Sequence, residues 1–180
     1  DTGGSIRNPA AWTNTTGLKV TYGRVSRYGS ISYASSFDTV GPMAKTAEDC
    51  AIILEEIAGQ DPYDATSSPA PVEKYSQNLN QKVDKLTVGV PQEFFRDGLD
   101  SEIKKSVLAV AEKLKEVGAT IKEISMPLFD LGISVYYTIA PSETSSNLGR
   151  YTGIRYGSSR DNFTDETKRR VLIGNYDLSA

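Results

Sequence analysis

The first residues of the chain place a serine directly after two glycines, in the order Asp1-Thr2-Gly3-Gly4-Ser5-Ile6-Arg7. Consecutive glycines adopt backbone angles that other residues resist, so neighbouring N–H groups can point at one spot. A group of donors beside a serine is what an oxyanion hole requires. The segment therefore predicts acyl transfer at a carbonyl, with Ser5 as the nucleophile and the amides of Thr2, Gly3 and Gly4 holding the developing negative charge.

Other interpretations of this segment stay open. A Gly-Gly-Ser turn is more often an ordinary loop than a catalytic centre, and a glycine loop could also bind an anion such as phosphate without the Ser5 hydroxyl. Asp1-Thr2-Gly3 has the pattern of an aspartic-protease carboxylate as well. That chemistry needs a second such carboxylate and a preceding apolar strand, and neither is visible.

The composition narrows the chemistry. The 180 residues contain no histidine and one cysteine, Cys50, so the chain holds no Ser-His-Asp triad and no histidine or thiolate zinc site is expected. A hydrolase of this composition needs another base, for which lysine is the usual replacement. A net charge of −3 without a dense basic patch does not favour a direct grip on nucleic acid.

The sequence shows no membrane-spanning apolar run and no signal peptide. A single cysteine fits a reducing compartment. These features predict a cytoplasmic protein without membrane contact, and an organelle stays open as an alternative.

The elements that must position Ser5 alternate between strands and helices. Residues 1–45 are predicted as loops with short strands at 17–21 and 30–33. A helix capped by Thr46 runs to Gly59, a long loop covers 60–82, and further helices are predicted at 129–149 and 165–173.

Between these lies a strand–helix–strand pattern. Strands are predicted at 86–90 and 120–124, and Ser101 caps the helix between them. This order favours a parallel strand pair and an α/β fold class. The helix carries an apolar face predicted to be buried, made of Ile103, Val107, Val110, Ala111, Leu114 and Val117.

Several motifs together resemble the amidase signature family. They are the serine loop continued as Asn8-Pro9-Ala10, Thr21-Tyr22-Gly23-Arg24-Val25-Ser26-Arg27-Tyr28-Gly29, Ala34-Ser35-Ser36-Phe37-Asp38-Thr39-Val40-Gly41-Pro42, Gly59-Gln60-Asp61-Pro62-Tyr63-Asp64-Ala65-Thr66-Ser67, and Tyr136-Tyr137 with Ser145-Ser146-Asn147-Leu148. Within the family they are most similar to the glutamine-hydrolysing A subunits of tRNA-dependent amidotransferases. The resemblance implies that residues 1–180 are part of a single amidase domain, cut at both ends, in which helices surround a mixed β-sheet.

The resemblance also implies a Ser–cis-Ser–Lys triad with Ser5 as the nucleophile and the other two members upstream of this chain. This fragment alone is therefore expected to be inactive. Tyr136 would line the glutamine pocket, and Arg170 would face the α-carboxylate of glutamine. Two alternatives stay open: Tyr136 could be a buried helix residue, and Arg169 and Arg170 could form an exposed helix face. For Asp38, closing a turn is favoured over binding substrate.

The same resemblance implies partners. B and C subunits would complete a heterotrimer, which acts on aminoacyl-tRNA, and the B subunit would use ATP and Mg²⁺. No cofactor or metal is expected in this chain. A stand-alone amidase acting on another amide and a non-catalytic scaffold remain the alternative functions.

Three features depart from the family pattern. Polar residues occupy Thr13–Thr16, Val20 stands where proline is usual, and the chain is expected to be shorter between Gly157 and Lys168. The last departure affects the placement of Arg170, because the spacing to it no longer matches the family pattern.

Overall fold

The computed structural model describes residues 1–179, which form two compact units. The first unit contains Asp1–Leu79 together with the segment from Ser134 onward, and the second contains Asn80–Ile133. Both units combine helices with short strands. The predicted α/β class is therefore confirmed, with two small sheets among the described residues.

The first unit holds all the residues predicted to act in catalysis or substrate binding. Its elements are α1 (Arg7–Thr13), β1 (Thr16–Gly17), β2 (Met43–Ala44), α2 (Ala47–Ile57), α3 (Tyr75–Asn78), most of α5 (Gly132–Leu148), a 3₁₀ turn at Arg160–Asn162, and α6 (Asp165–Leu178). Strands β1 and β2 pair antiparallel. Val20, Val25 and Leu54 form a small buried cluster, against which Ala58 and Tyr75 pack.

The prediction of loops and strands over residues 1–45 is wrong in three respects. Helix α1 begins directly after the serine loop, and it starts because the carboxylate of Asp1 accepts hydrogen bonds from the amides of Ile6 and Arg7. This capping group lies outside the usual cap position. The predicted strand at 30–33 is absent from the described residues, since the Asp38 carboxylate takes the amides of Tyr33 and Ala34. The strand predicted at 17–21 is reduced to Thr16–Gly17.

The predicted start of α2 is confirmed. Thr46 adopts extended angles, and its side chain accepts a 3.0 Å hydrogen bond from the amide of Asp49. Cys50, Ala51 and Leu54 are buried, as their helical spacing predicts.

The second unit is the predicted strand–helix–strand arrangement. Its elements are β3 (Thr87–Pro91), a 3₁₀ turn at Gln92–Phe95, α4 (Ser101–Glu116), β4 (Thr120–Ile124) and a 3₁₀ turn at Phe129–Leu131. The strands pair in parallel, with Gly89 opposite Lys122. Asp100 rather than Ser101 caps α4, because its carboxylate accepts from the amides of Glu102 and Ile103.

The predicted burial of the α4 apolar face is wrong for most of its residues. Ile103, Val107, Val110 and Val117 are all more than half exposed, and only Ala111 and Leu114 are half-buried. Among residues 1–179 this unit has two strands, and so narrow a sheet covers little of a helix that is sixteen residues long.

The two predicted C-terminal helices are confirmed as α5 and α6, although α6 extends beyond the predicted end. Thr164 caps α6 by accepting from the amide of Thr167. Of the helices in residues 1–179, none is both long and apolar enough to cross a membrane.

Asp64 joins two loops of the first unit. Its carboxylate accepts hydrogen bonds from the amide of Arg27 and from the amide and hydroxyl of Thr66. The hydroxyl of Thr66 is the largest of the causes that lower the Asp64 pKa from 3.8 to about 2. The charged carboxylate therefore stabilises the fold above pH 3.8, and this stabilisation is lost as the pH falls through about 2.

We expect Asp64→Asn to lower the free energy of unfolding of the full-length protein by roughly 1–3 kcal/mol at pH 7, as for lost hydrogen bonds to a charged group. The difference from the native protein should shrink as the pH falls towards 2. Urea unfolding at pH 7 and pH 3 measures it, with the exposed Asp97 changed in Asp97→Asn as the control. A difference that stays constant over this range would contradict the assignment.

Candidate active site

Asp1 stabilises the loop that carries Ser5. The side chain of Asp1 is fully buried and pairs with Arg7, whose Nε lies 3.0 Å from the carboxylate. The amide of Asn8 donates to the carbonyl of Gly4 at 2.8 Å, which closes the turn into α1. Ser5 lies in this turn and is exposed.

Gly4 has a φ of +156°, an angle that L-residues rarely adopt, and a Cβ there would lie 3.0 Å from Nδ2 of Asn8. Within residues 1–179, the amides of Thr2, Gly3, Gly4 and Ser5 donate to no protein acceptor, whereas the next two amides donate to Asp1. Four backbone donors next to an exposed hydroxyl therefore have no hydrogen-bond partner among residues 1–179.

The segment 33–38 is hydrogen-bonded to the serine loop. The hydroxyl of Thr2 donates to the Asp38 carboxylate at 2.6 Å, and the same carboxylate accepts from the amides of Tyr33 and Ala34. Asp38 thus closes a turn, which is the role favoured for it on sequence. All three hydrogen bonds of this carboxylate are to protein groups, so it serves the structure of the turn.

One face of α5 holds segment 33–38 in place. The carboxylate of Glu143 accepts from the amide of Ser36 at 2.9 Å and from its hydroxyl. Asn147, which is buried, donates to the carbonyl of Tyr33 and to the hydroxyl of Ser35. Tyr136 precedes these residues by seven and eleven positions, which places it on the same helical face.

Tyr136 reaches the serine loop. A Cβ built on Gly3 would lie 2.9 Å from Cε2 of Tyr136 and 3.1 Å from its hydroxyl, so the ring rests directly on the Gly3 backbone. The ring also stacks on Phe37, with 6.4 Å between centroids. Tyr136 is half-buried, and burial is the main reason that its pKa lies above the ordinary value.

Arg170 comes to the same place from α6. Its Nη1 donates to the hydroxyl of Tyr136 at 3.3 Å and to the hydroxyl of Tyr33, and its Nε donates to Glu166 at 2.6 Å. Burial lowers the pKa of Arg170, but the hydrogen bonds to Glu166, Tyr33 and Tyr136 together outweigh it and raise the pKa above its usual value. The guanidinium therefore carries its charge at every working pH.

Glu166 pairs with two arginines at once. Arg169 binds it with Nε and Nη2, at 2.8 and 2.9 Å, while Arg170 shares one of its oxygens. These bonds, led by Arg169, lower the pKa of Glu166 to about 2. Two guanidinium groups and one carboxylate leave a local charge of +1. Arg169 is about half exposed, as one interpretation of this arginine pair predicts, but Arg170 is not.

A close helix crossing sets the position of Arg170. A Cβ on Gly174 would lie 2.0 Å from the carbonyl oxygen of Pro141, so α6 approaches α5 more closely there than any other residue allows. One turn of helix separates Gly174 from Arg170. Ser145 on α5 also donates to the side chain of Asn175 on α6.

The structure thus brings Gly3, Tyr136 and Arg170 together, and Gly3 links Ser5 to this cluster. Lys19 takes no part in it, because its ammonium donates to the carbonyl of Val20. Tyr33 was predicted as a strand residue and its contact with Arg170 was missed, since the contact depends on two loops and a helix that are distant in sequence. Glu166 could have been found from its helical spacing to both arginines.

Among residues 1–179, no group of three or more acidic or cysteine side chains could hold a metal ion.

The Amidase family model matches residues 1–180. The chain belongs to this family. The A subunit of glutamyl-tRNA(Gln) amidotransferase from Pseudomonas aeruginosa is 51% identical to this chain over 195 aligned positions, which cover 100% of the chain and 40% of that protein. The chain thus spans about two-fifths of the length of the curated relatives that it matches.

Two solved structures have a similar fold. The A subunit of glutamyl-tRNA(Gln) amidotransferase from Thermotoga maritima has a TM-score of 0.77 and 34% identity, with 99% of this chain and 37% of that chain covered. The native peptide amidase of Stenotrophomonas maltophilia also has a TM-score of 0.77, with 26% identity and coverage of 99% and 42%.

The alignment with the Pseudomonas protein extends over 195 positions, whereas this chain has 180 residues. The matched region is therefore shorter here. A shortening between Gly157 and Lys168 was expected, and its place stays a prediction. The contact of Arg170 with Tyr136 forms in the shortened chain.

We expect Gly174→Ala to lower the free energy of unfolding by roughly 1–3 kcal/mol, because the added methyl group overpacks the crossing of α5 and α6. Urea unfolding of the full-length protein measures the change. A crystal structure of the variant should show Arg170 Nη1 further than 3.3 Å from the Tyr136 hydroxyl.

The matched control is Gly132→Ala, since a Cβ on this α5 glycine meets no atom within 4 Å. Alanine there should leave stability unchanged or raise it, because alanine favours helices over glycine. Equal stability of the two variants would show that the helices do not depend on the close approach at Gly174.

Proposed function

We propose that this chain is an internal part of a single amidase domain that hydrolyses glutamine and supplies ammonia for the amidation of Glu-tRNA(Gln) or Asp-tRNA(Asn). One observation carries the proposal. The glycine loop before Ser5 lies against Tyr136, and the phenol of Tyr136 accepts a hydrogen bond from Arg170. The proposed nucleophile, backbone donors without a protein partner and a cation would thus belong to one site.

In the proposed reaction, Ser5 Oγ attacks the side-chain amide carbon of glutamine and loses its proton to a base. The carbonyl oxygen becomes an oxyanion, to which the amides of Thr2, Gly3 and Gly4 donate. Each such donor typically lowers the barrier by roughly 3–4 kcal/mol. The C–N bond breaks, the nitrogen takes a proton and leaves as ammonia, and water releases glutamate from the acyl-enzyme.

The base in this proposal is a lysine that acts through a bridging cis-serine, and both residues come from the part of the protein upstream of this chain. A lysine surrounded by protein loses its charge more readily than one in water, which suits it to accept a proton. This chain supports an external base because it offers no obvious base of its own. The sequence has no histidine, and the ammonium of Lys19 donates to the carbonyl of Val20.

The arginines of α6 would bind the other end of the substrate, its α-carboxylate. The +1 charge of Arg169, Arg170 and Glu166 suits the α-carboxylate of glutamine, and a guanidinium presents parallel donors to such a group. Tyr136 lies between this charge and the Gly3 backbone. It would fill the space along the aliphatic part of the substrate.

The partners follow from the similarity to the A subunits of amidotransferases. We propose that a B subunit receives the ammonia and uses ATP and Mg²⁺ to amidate the aminoacyl-tRNA, and that a C subunit completes the complex. This chain would bind none of these cofactors. Because the substrate is an aminoacyl-tRNA, we propose the cytoplasm as the site of action, with an organelle as the alternative.

A stand-alone amidase is the second candidate, because the peptide amidase structure matches this fold with the same TM-score as the amidotransferase structure. The 51% identity to the Pseudomonas amidotransferase protein favours the first candidate. The two differ in one respect that can be measured: only the amidotransferase should depend on partner subunits.

The first test is ammonia release from glutamine by the full-length protein, with and without its B and C subunits. We expect release that increases with the partners and falls at least about a thousandfold in Ser5→Ala, the loss typical of a missing nucleophile. Equal release by both proteins would rule out Ser5, and partner-independent release from simple amides would support the stand-alone amidase. No release with any amide would favour a scaffold.

A second test concerns Arg170. We expect Arg170→Lys to raise KM for glutamine roughly 10–100-fold with a smaller change in kcat, because an ammonium group cannot keep the planar, two-pronged geometry of guanidinium. Steady-state kinetics of the full-length complex measure it. The control is Arg169→Lys on the exposed side of α6, and an equal effect of both variants would contradict the assignment.

A further inference from the structure

Tyr33 has no role in the proposed mechanism, yet it is bonded to the cation of the site. Its hydroxyl accepts from Nη1 of Arg170, and its ring centre lies 5.7 Å from the guanidinium carbon. The side chain is half-buried. A tyrosine in this place restricts where the guanidinium can lie.

The Tyr33 backbone is itself fixed from two sides. Its amide donates to Asp38, and its carbonyl accepts from the buried Asn147. Asp38 also binds the hydroxyl of Thr2 in the serine loop. Tyr33 therefore connects the loop of the nucleophile with the helix that carries Arg170.

The bonds of Arg170 leave one end of its guanidinium open. Nε is used by Glu166, and Nη1 is used by Tyr33 and Tyr136. Nη2 has no acceptor among residues 1–179. A guanidinium held through Nε and Nη1 cannot rotate, so its remaining donors point in one direction.

We propose that Tyr33, together with Glu166, is a positioning residue that aims Nη2 of Arg170 at the α-carboxylate of the substrate. The inference rests on the proposed function. It predicts that the site selects free amino acids over derivatives whose carboxylate is blocked. Arg170 makes the contact, and Tyr33 acts through Arg170 without touching the substrate.

Removing the Tyr33 hydroxyl should loosen the guanidinium of Arg170. Without the Tyr33 hydroxyl, Nη1 keeps one acceptor, Tyr136, whose bond is long at 3.3 Å. The guanidinium then gains freedom, and ordering it again on binding costs affinity for the carboxylate. Contacts with the reacting amide at the serine loop are unchanged, so the loss should appear in KM and not in kcat.

The experiment uses the full-length complex carrying Ser5→Ala, so that ligands bind without turnover. Calorimetry gives the dissociation constants of L-glutamine and of L-glutaminamide, in which a neutral amide replaces the α-carboxylate. The ratio of the two constants measures selection for the carboxylate. We expect Tyr33→Phe, which keeps the ring, to reduce this ratio about tenfold, as for a lost hydrogen bond to a charged group.

Tyr28→Phe is the matched control, because Tyr28 is an exposed tyrosine that stacks on Tyr63 at 5.0 Å. It should leave the ratio unchanged. In the protein that retains Ser5, Tyr33→Phe should raise KM for glutamine by a similar factor and leave kcat within about twofold. A merely structural role for Tyr33 would weaken both ligands equally, and that result would overturn the inference.

A second variant keeps the test decisive if Tyr33→Phe does not fold. Glu166→Asp keeps the negative charge of a side chain that is about half exposed but draws the carboxylate away from Nε, so it should also reduce the ratio. An unchanged ratio in the folded variants would overturn the inference while the proposed function stands. Failure of the Ser5→Ala complex to prefer glutamine over glutaminamide would instead remove Arg170 from substrate binding, and Tyr33 with it.

Discussion

The site depends on the close packing of α6 against α5 at Gly174. No side chain separates the two helices there, since even a Cβ would lie 2.0 Å from the Pro141 carbonyl. This contact places Arg170 beside Tyr136, and α5 in turn binds the segment 33–38 through Glu143 and Asn147. A wider crossing would move the cation of the site away from the serine loop.

Carboxylates hold the backbone of the site together. Asp1 binds the start of α1, Asp38 binds a turn and Thr2, and Glu143 binds Ser36. Such bonds to amide groups are charge-assisted and fix loops that contain little regular structure. The bonds of Asp1 to Arg7 and two amides also argue against an aspartic-protease role, because a reacting carboxylate must be free to accept a proton.

The second unit shows where local patterns succeed and fail. The parallel strand pair and its crossover helix were predictable, because strands of this length joined through a helix pair in parallel. The burial of the apolar face of α4 was not predictable. An apolar face indicates that a helix can be covered, but what covers it depends on other segments, and among the described residues Ile103 and Val107 are exposed.

Sequence alone determined the chemistry that was available: a serine after two glycines, no histidine, and the motifs of the amidase family. It also determined α2, whose cap and helical spacing are local signals, and it located the helices α5 and α6. Tertiary structure decided that Tyr33, Tyr136 and Arg170 meet at the serine loop. Those residues are more than a hundred positions apart at their extremes, and their contacts depend on a helix crossing and on loops fixed by side-chain carboxylates. Such contacts follow from packing, which leaves no periodic pattern in the sequence.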